Sequence, residues 1–84
     1  MNMDMENQNF KTTDFYSAVF LLASGYKLIK IDKTDPRRFC FVFQDQENRA
    51  KLLEDFFNGS AKVEPRQFVS SIKELKTLMY NDAL

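Results

Sequence analysis

The chain predicts an α+β fold: helix, β-hairpin, helix, helix, with the helices packed on a small antiparallel sheet. Three observations lead there. Apolar residues recur at helical spacing in three separate stretches, near 15–22, 50–57 and 68–79. Between the first two stretches lie short segments of alternating β-branched and aromatic residues, joined by the turn formers Lys33-Thr34-Asp35-Pro36-Arg37. The chain has 84 residues and carries nine Phe and three Tyr. A domain of this size buries only about 60–65% of its unfolded surface, so large rings are the economical way to build its core.

Each element follows from local chemistry. Thr12-Thr13-Asp14 precedes the first apolar run and predicts a helix start, with a threonine as N-cap and Asp14 in the first turn. Phe15, Ala18, Val19 and Leu22 keep the i, i+3, i+4, i+7 spacing, but Tyr16, Phe20, Leu21 and Ala23 fill much of the other side. Such a helix is either buried within the domain or covered by a partner. Gly25 is placed to end it with a positive φ.

The hairpin strands are expected at Tyr26–Asp32 and Arg38–Gln44. In the second, Phe39, Phe41 and Phe43 share one face, with Cys40 and Val42 on the other; in the first, Tyr26, Leu28 and Lys30 oppose Lys27, Ile29 and Ile31. Asp45 is the expected cap of a second helix over 46–58, with Ala50, Leu53 and Phe57 on one line, Leu52 and Phe56 beside it, and Asn58-Gly59 as its stop. Residues 61–63 are the candidate for a short third edge strand. Pro65 suits the first turn of a last helix, whose inner face is Phe68, Ile72, Leu75 and Met79. Lys73, Glu74 and Lys76 are then outside. Residues 1–9 read as a disordered tail ahead of a single domain over 10–84.

The strings Phe10-Lys11-Thr12-Thr13-Asp14-Phe15, Leu22-Ala23-Ser24-Gly25-Tyr26-Lys27-Leu28, Phe41-Val42-Phe43, Asp55-Phe56-Phe57-Asn58-Gly59, Val63-Glu64-Pro65-Arg66-Gln67-Phe68 and Ile72-Lys73-Glu74-Leu75-Lys76 extend over nearly the whole chain after the tail. In these the sequence resembles a family of small bacterial and phage proteins classed only as a domain of unknown function. The resemblance implies the fold boundaries and a prokaryotic or mobile-element origin. It brings no catalytic or binding residue with it, because its strings are caps, turns and core positions.

Composition excludes several classes of chemistry. There is no histidine, so Ser-His and Cys-His nucleophilic machinery and histidine metal sites are absent. Cys40 is the single cysteine, which rules out an internal disulfide and a thiolate-rich metal site and favours a reducing, cytoplasmic compartment. Between two Phe on a strand, it reads as a small hydrophobe rather than a reactive thiol. Asp32 and Asp35 read as turn residues, and Glu74-Leu75-Lys76, although it echoes a nuclease Glu-x-Lys, falls on a helix. No catalytic, cofactor-binding or metal-binding residue is assigned, and no enzyme is expected. The N-terminal nine residues have neither the basic start nor the apolar run of a signal peptide. The longest uncharged stretch, Phe15–Tyr26, is far below the roughly 20 residues a bilayer requires.

Twelve basic residues balance twelve acidic ones, which removes any whole-chain electrostatic case for nucleic acid. Locally, Lys30, Lys33, Arg37 and Arg38 make the hairpin end basic and are the candidate phosphate contacts. The run Arg37-Arg38-Phe39-Cys40-Phe41-Val42-Phe43 shares a basic start and alternating rings with the base-stacking strand of RNA-recognition motifs, but Arg38, Cys40 and Gln44 stand where that motif has small and aromatic residues. The rings are better read as core. Lys27, Ile29 and Ile31 form the candidate partner face, since three helices do not readily cover both sides of a two-stranded hairpin. The expected function is a non-enzymatic binding or assembly module acting through protein contact, with itself or with another protein. The alternative is weak nucleic-acid binding through the basic hairpin.

Overall fold

A computed structural model of the chain describes residues 8–81. The elements run β1 (Asn9–Thr12), α1 (Phe15–Ala23), β2 (Leu28–Asp32), β3 (Cys40–Gln44), α2 (Arg49–Phe57) and α3 (Pro65–Met79). The α+β class and the order helix, hairpin, helix, helix are as the sequence predicts. The three strands form one antiparallel sheet in the order β1-β3-β2, which puts the Phe-rich β3 in the middle.

The third strand is not where the sequence reading placed it. Asn9, Phe10, Lys11 and Thr12 pair with Gln44, Phe43, Val42 and Phe41 along the free edge of β3. Residues 61–63 form no strand. The backbone amides of Ser60 and Ala61 both donate to the Asp55 carbonyl at 2.8 and 3.0 Å, and Ala61 and Val63 pack against the core. Tethered to the end of α2, the segment fills space instead of extending the sheet. Of the tail expected at 1–9, residues 1–7 lie outside the described residues, while Asn9 belongs to β1.

All three helices share one core with the inner face of the sheet. Phe20, Leu21, Phe41, Phe43, Ile31, Leu53 and Leu75 are buried in a single cluster. Helix α1 is its axis: Ser17 to Leu21 are all buried, and the helix packs mainly on α3. The question of whether its missing polar face implied a partner is thereby answered within the domain. Phe20 stacks on Phe56 of α2 with centroids 4.7 Å apart, and Phe15 meets Phe41 of β3 edge-on at 6.4 Å. On α2 the buried side is Leu52, Leu53 and Phe56, whereas Ala50 and Phe57 are exposed.

Gly25 and Pro65 mark helix ends where the sequence predicts them, whereas α2 starts three residues later and stops one residue earlier than expected. Asp14, not a threonine, caps α1: its carboxylate accepts from the Ser17 amide at 2.9 Å and the Ser17 hydroxyl at 2.6 Å. Asp45 does not cap α2. It forms a two-pronged pair with Arg49, at 3.1 and 3.2 Å, and that guanidinium lies 4.0 Å over the Phe10 ring. Asn48 is the N-cap residue instead and accepts a short hydrogen bond from the Tyr26 hydroxyl. Burial, reinforced by the Asp45 charge and opposed by Arg49, holds that phenol above its ordinary pKa. Gly25 and Gly59, at φ +93° and +77°, each close a helix with paired backbone bonds, Gly25 to Leu22 and Tyr26 to Leu21 after α1, Gly59 to Phe56 and Ser60 to Asp55 after α2. Pro65 opens α3, and the Glu64 side chain caps it by accepting from the Gln67 amide at 2.8 Å.

Candidate functional site

The hairpin loop between β2 and β3 is fixed by its own side chains. Asp32 accepts from the amide and hydroxyl of Thr34 at 3.0 and 2.6 Å, and these bonds hold its carboxyl below the ordinary aspartate range. Asp35 accepts from the Arg37 amide at 3.0 Å, and its carbonyl takes the Arg38 amide at 3.1 Å. Both aspartates are turn residues, as their spacing predicts.

Lys33 joins this loop to the far end of the chain. Its Nζ donates to the carbonyls of Leu78 and Asn81 at 3.0 and 2.7 Å and lies 5.8 Å from the centre of the Phe39 ring. A helix C-terminus leaves carbonyls without intrahelical partners and carries partial negative charge, so an ammonium there is doubly favourable. The contact spans 45 residues of sequence.

A cleft of about 320 Å³ opens beside that tether, between the hairpin loop, the start of α1 and the end of α3. Phe15, Phe39 and Phe41 line its apolar wall, Met79 and Tyr80 close one side, and Thr13, Pro36, Arg37 and Arg38 form the other. Phe41 is only 2% exposed, so the ring that the basic motif offers for stacking is core and only its edge reaches the cleft. Tyr80, in contrast, is 78% exposed. Arg38 donates from Nε to Thr13 Oγ1 at 3.3 Å, and among the described residues neither Arg37 nor Arg38 makes an ion pair. The site thus offers apolar contact beside two guanidinium groups, each able to hold a carboxylate or phosphate by two hydrogen bonds.

The four basic residues singled out from the sequence are not one surface. Arg37 and Arg38 stand at the cleft, Lys33 is engaged at the end of α3, and Lys30 lies on the opposite face of the sheet, paired across the strands with Val42. The proposed face of Lys27, Ile29 and Ile31 is broken up as well. A bulge between Leu28 and Lys30 sets Leu28 opposite Phe43 and Ile31 opposite Phe41, both on the core side. Ile31 is 4% exposed and is corrected to a core residue; Ile29, at the bulge, is 39% exposed, and Lys27 is exposed where its carbonyl accepts from the Gln44 amide. One inserted residue reverses the alternation on which the face was drawn.

Sequence reasoning missed Thr13, Phe15, Met79 and Tyr80 as cleft residues. The pairing of β1 with β3 brings Thr13 and Phe15 to this end of the sheet, the packing of α3 brings Met79 and Tyr80, and no local pattern encodes either. No helix among the described residues is long and apolar enough to cross a membrane.

Fold and site together define a small α+β domain with an aromatic-walled, arginine-flanked cleft at one end of its sheet. The chain belongs to the family described as Domain of unknown function (DUF5659), whose profile matches residues 7–81. No curated protein and no solved structure matches it.

Proposed function

We propose that this domain is a non-enzymatic binding module that works through protein contact, and that the cleft between the hairpin loop and the end of α3 is where it makes that contact. The observation that carries the reading is the combination of an apolar wall with the guanidinium groups of Arg37 and Arg38, which make no ion pair among the described residues. Buried apolar area supplies affinity and the arginines supply orientation. The occupant is a different protein rather than a second copy docked cleft to cleft, because twofold pairing would set these arginines against each other. The setting is a reducing cytoplasm, in line with a single free cysteine, and a bacterial or phage origin, in line with the resemblance noted from the sequence.

Nucleic-acid binding is the weaker reading, since Lys33 is spent on α3 and Lys30 faces away from the cleft. Selection of a random peptide library on the full chain, with Arg38→Glu as the counter-target, tests the proposal. Enriched peptides should combine an apolar side chain with carboxylates and should shift the amide resonances of Thr13, Phe39 and Tyr80. Enrichment that ignores Arg38→Glu, or a single-stranded oligonucleotide that binds more tightly with a steep salt dependence, overturns it.

A further inference from the structure

We infer that the partner presents an acidic helix that lies along the outer side of α3 and places an apolar side chain in the cleft; this deepens the cleft reading above and rests on it. At about 100° per residue, Arg66, Val69, Lys73 and Lys76 fall within about 80° of arc on α3, opposite the buried Ser71 and Leu75, and the C-cap residue Tyr80 follows at the end of the same stripe. All five are exposed, Val69 at 49% and Tyr80 at 78%. Tyr80 also lines the cleft, so the stripe and the cleft are one continuous surface.

This surface is locally basic although the whole chain is neutral in composition. Most carboxylates of the described chain are occupied locally: Asp14 and Glu64 cap helices, Asp32 and Asp35 hold the hairpin loop, and Asp45 and Asp55 pair with Arg49 and Lys51. Among the described residues, Arg66, Lys73 and Lys76 make no ion pair. A shallow groove of about 370 Å³ passes between Pro65, Arg66, Val69, Ser70 and Lys73, with apolar Val69 set between two cations.

From Arg66 to Lys76 the rise is about 15 Å, close to three turns, with Arg66 and Lys73 about two turns apart, Lys76 about one turn further on and Val69 on the turn between the first two; a second helix with carboxylates at the same i, i+7, i+10 spacing matches them on one face. Its apolar ridge fits the groove at Val69, and its end reaches the cleft. A nucleic-acid backbone gains nothing from the apolar Val69.

The test is titration of the full-length chain, by NMR, with a synthetic 16-residue helical peptide carrying Glu at i, i+7 and i+10 and a terminal Leu, against the same peptide with Gln for Glu. The Glu peptide should bind at least about tenfold more tightly, and the exposed double substitution Lys73→Glu with Lys76→Glu, its fold checked by circular dichroism, should weaken it by about tenfold. If Arg38→Glu weakens binding while the double substitution does not, docking along α3 is overturned and the cleft reading survives. If neither does, both fall. A Glu peptide that fails to bind at millimolar concentration overturns the helix, and a single-stranded oligonucleotide that binds more tightly than the Glu peptide overturns both.

Discussion

The two faces of the sheet bury their apolar residues by different means. On the inner face Phe41, Phe43 and Ile31 are sealed by three helices. On the outer face Val42 is just as inaccessible, at 2%, yet it stands outside that cluster, with Lys11 on one neighbouring strand and Lys30 on the other. Long lysine stems can lie over apolar surface while their ammonium groups stay in water, and the two lysines paired across from Val42 are in register to do so. On that face Val42 is buried, and Ile29, at the bulge, is the exposed large apolar residue of β2. The exposed apolar and basic groups that suit a partner are at the end of the sheet and along α3.

That contrast can be tested by size of effect. Phe43→Ala should cost about 3–5 kcal/mol in urea unfolding, since rigid neighbours on three sides leave a cavity. For an 84-residue chain, with total stability of roughly 4–12 kcal/mol, this removes from about a quarter of it to all of it. Val42→Ala, measured the same way, should cost only about 1.5 kcal/mol, the transfer of two lost methyl groups, because lysine stems can settle into the space. A Val42→Ala loss equal to that of Phe43→Ala would mean that the outer face is packed as rigidly as the inner one.

Smaller still is the cap of the central helix: Asp14→Ala should lower stability by about 1 kcal/mol, and Asp14→Asn should recover most of it. The smallest effect is electrostatic. Hydrogen bonds from Thr34 favour the charged form of Asp32, so its folded pKa lies below the ordinary value of 3.8. The stabilisation is present above the unfolded pKa and disappears as pH falls through the folded one. In Thr34→Val the Asp32 carboxyl, followed by carbon-13 NMR, should titrate nearer 3.8. An unchanged titration would show that the backbone amide alone sets the shift.

How much was legible can be judged from single residues. Gly25, Gly59 and Pro65 marked helix boundaries from the sequence because each is tied to a backbone conformation that few other residues adopt or start from. The Phe39-Phe41-Phe43 alternation marked the inner face of β3, since a central strand with regular pairing keeps period 2. Strand β1 left almost no signal: it is four residues long with one large apolar side chain, Phe10, and exists because β3 has an edge to pair with. The bulge at Ile29 was equally silent, and it moved Ile31 from a proposed surface into the core. Within the candidate site, Arg37 and Arg38 were visible as a basic pair, but Thr13 and Phe15 at the start of α1 and Met79 and Tyr80 at the end of α3 complete their setting.

By itself the sequence determined the α+β class, the order of the major elements, the aromatic core and the exclusion of histidine and disulfide chemistry. These depend on residue type and on spacing within about ten residues, where backbone geometry alone relates side chains. Tertiary structure decided the third strand, the register of β2, the engagement of Lys33 and the cleft. Each of these requires the chain to choose among distant partners, and that choice is made by the packing of the whole domain.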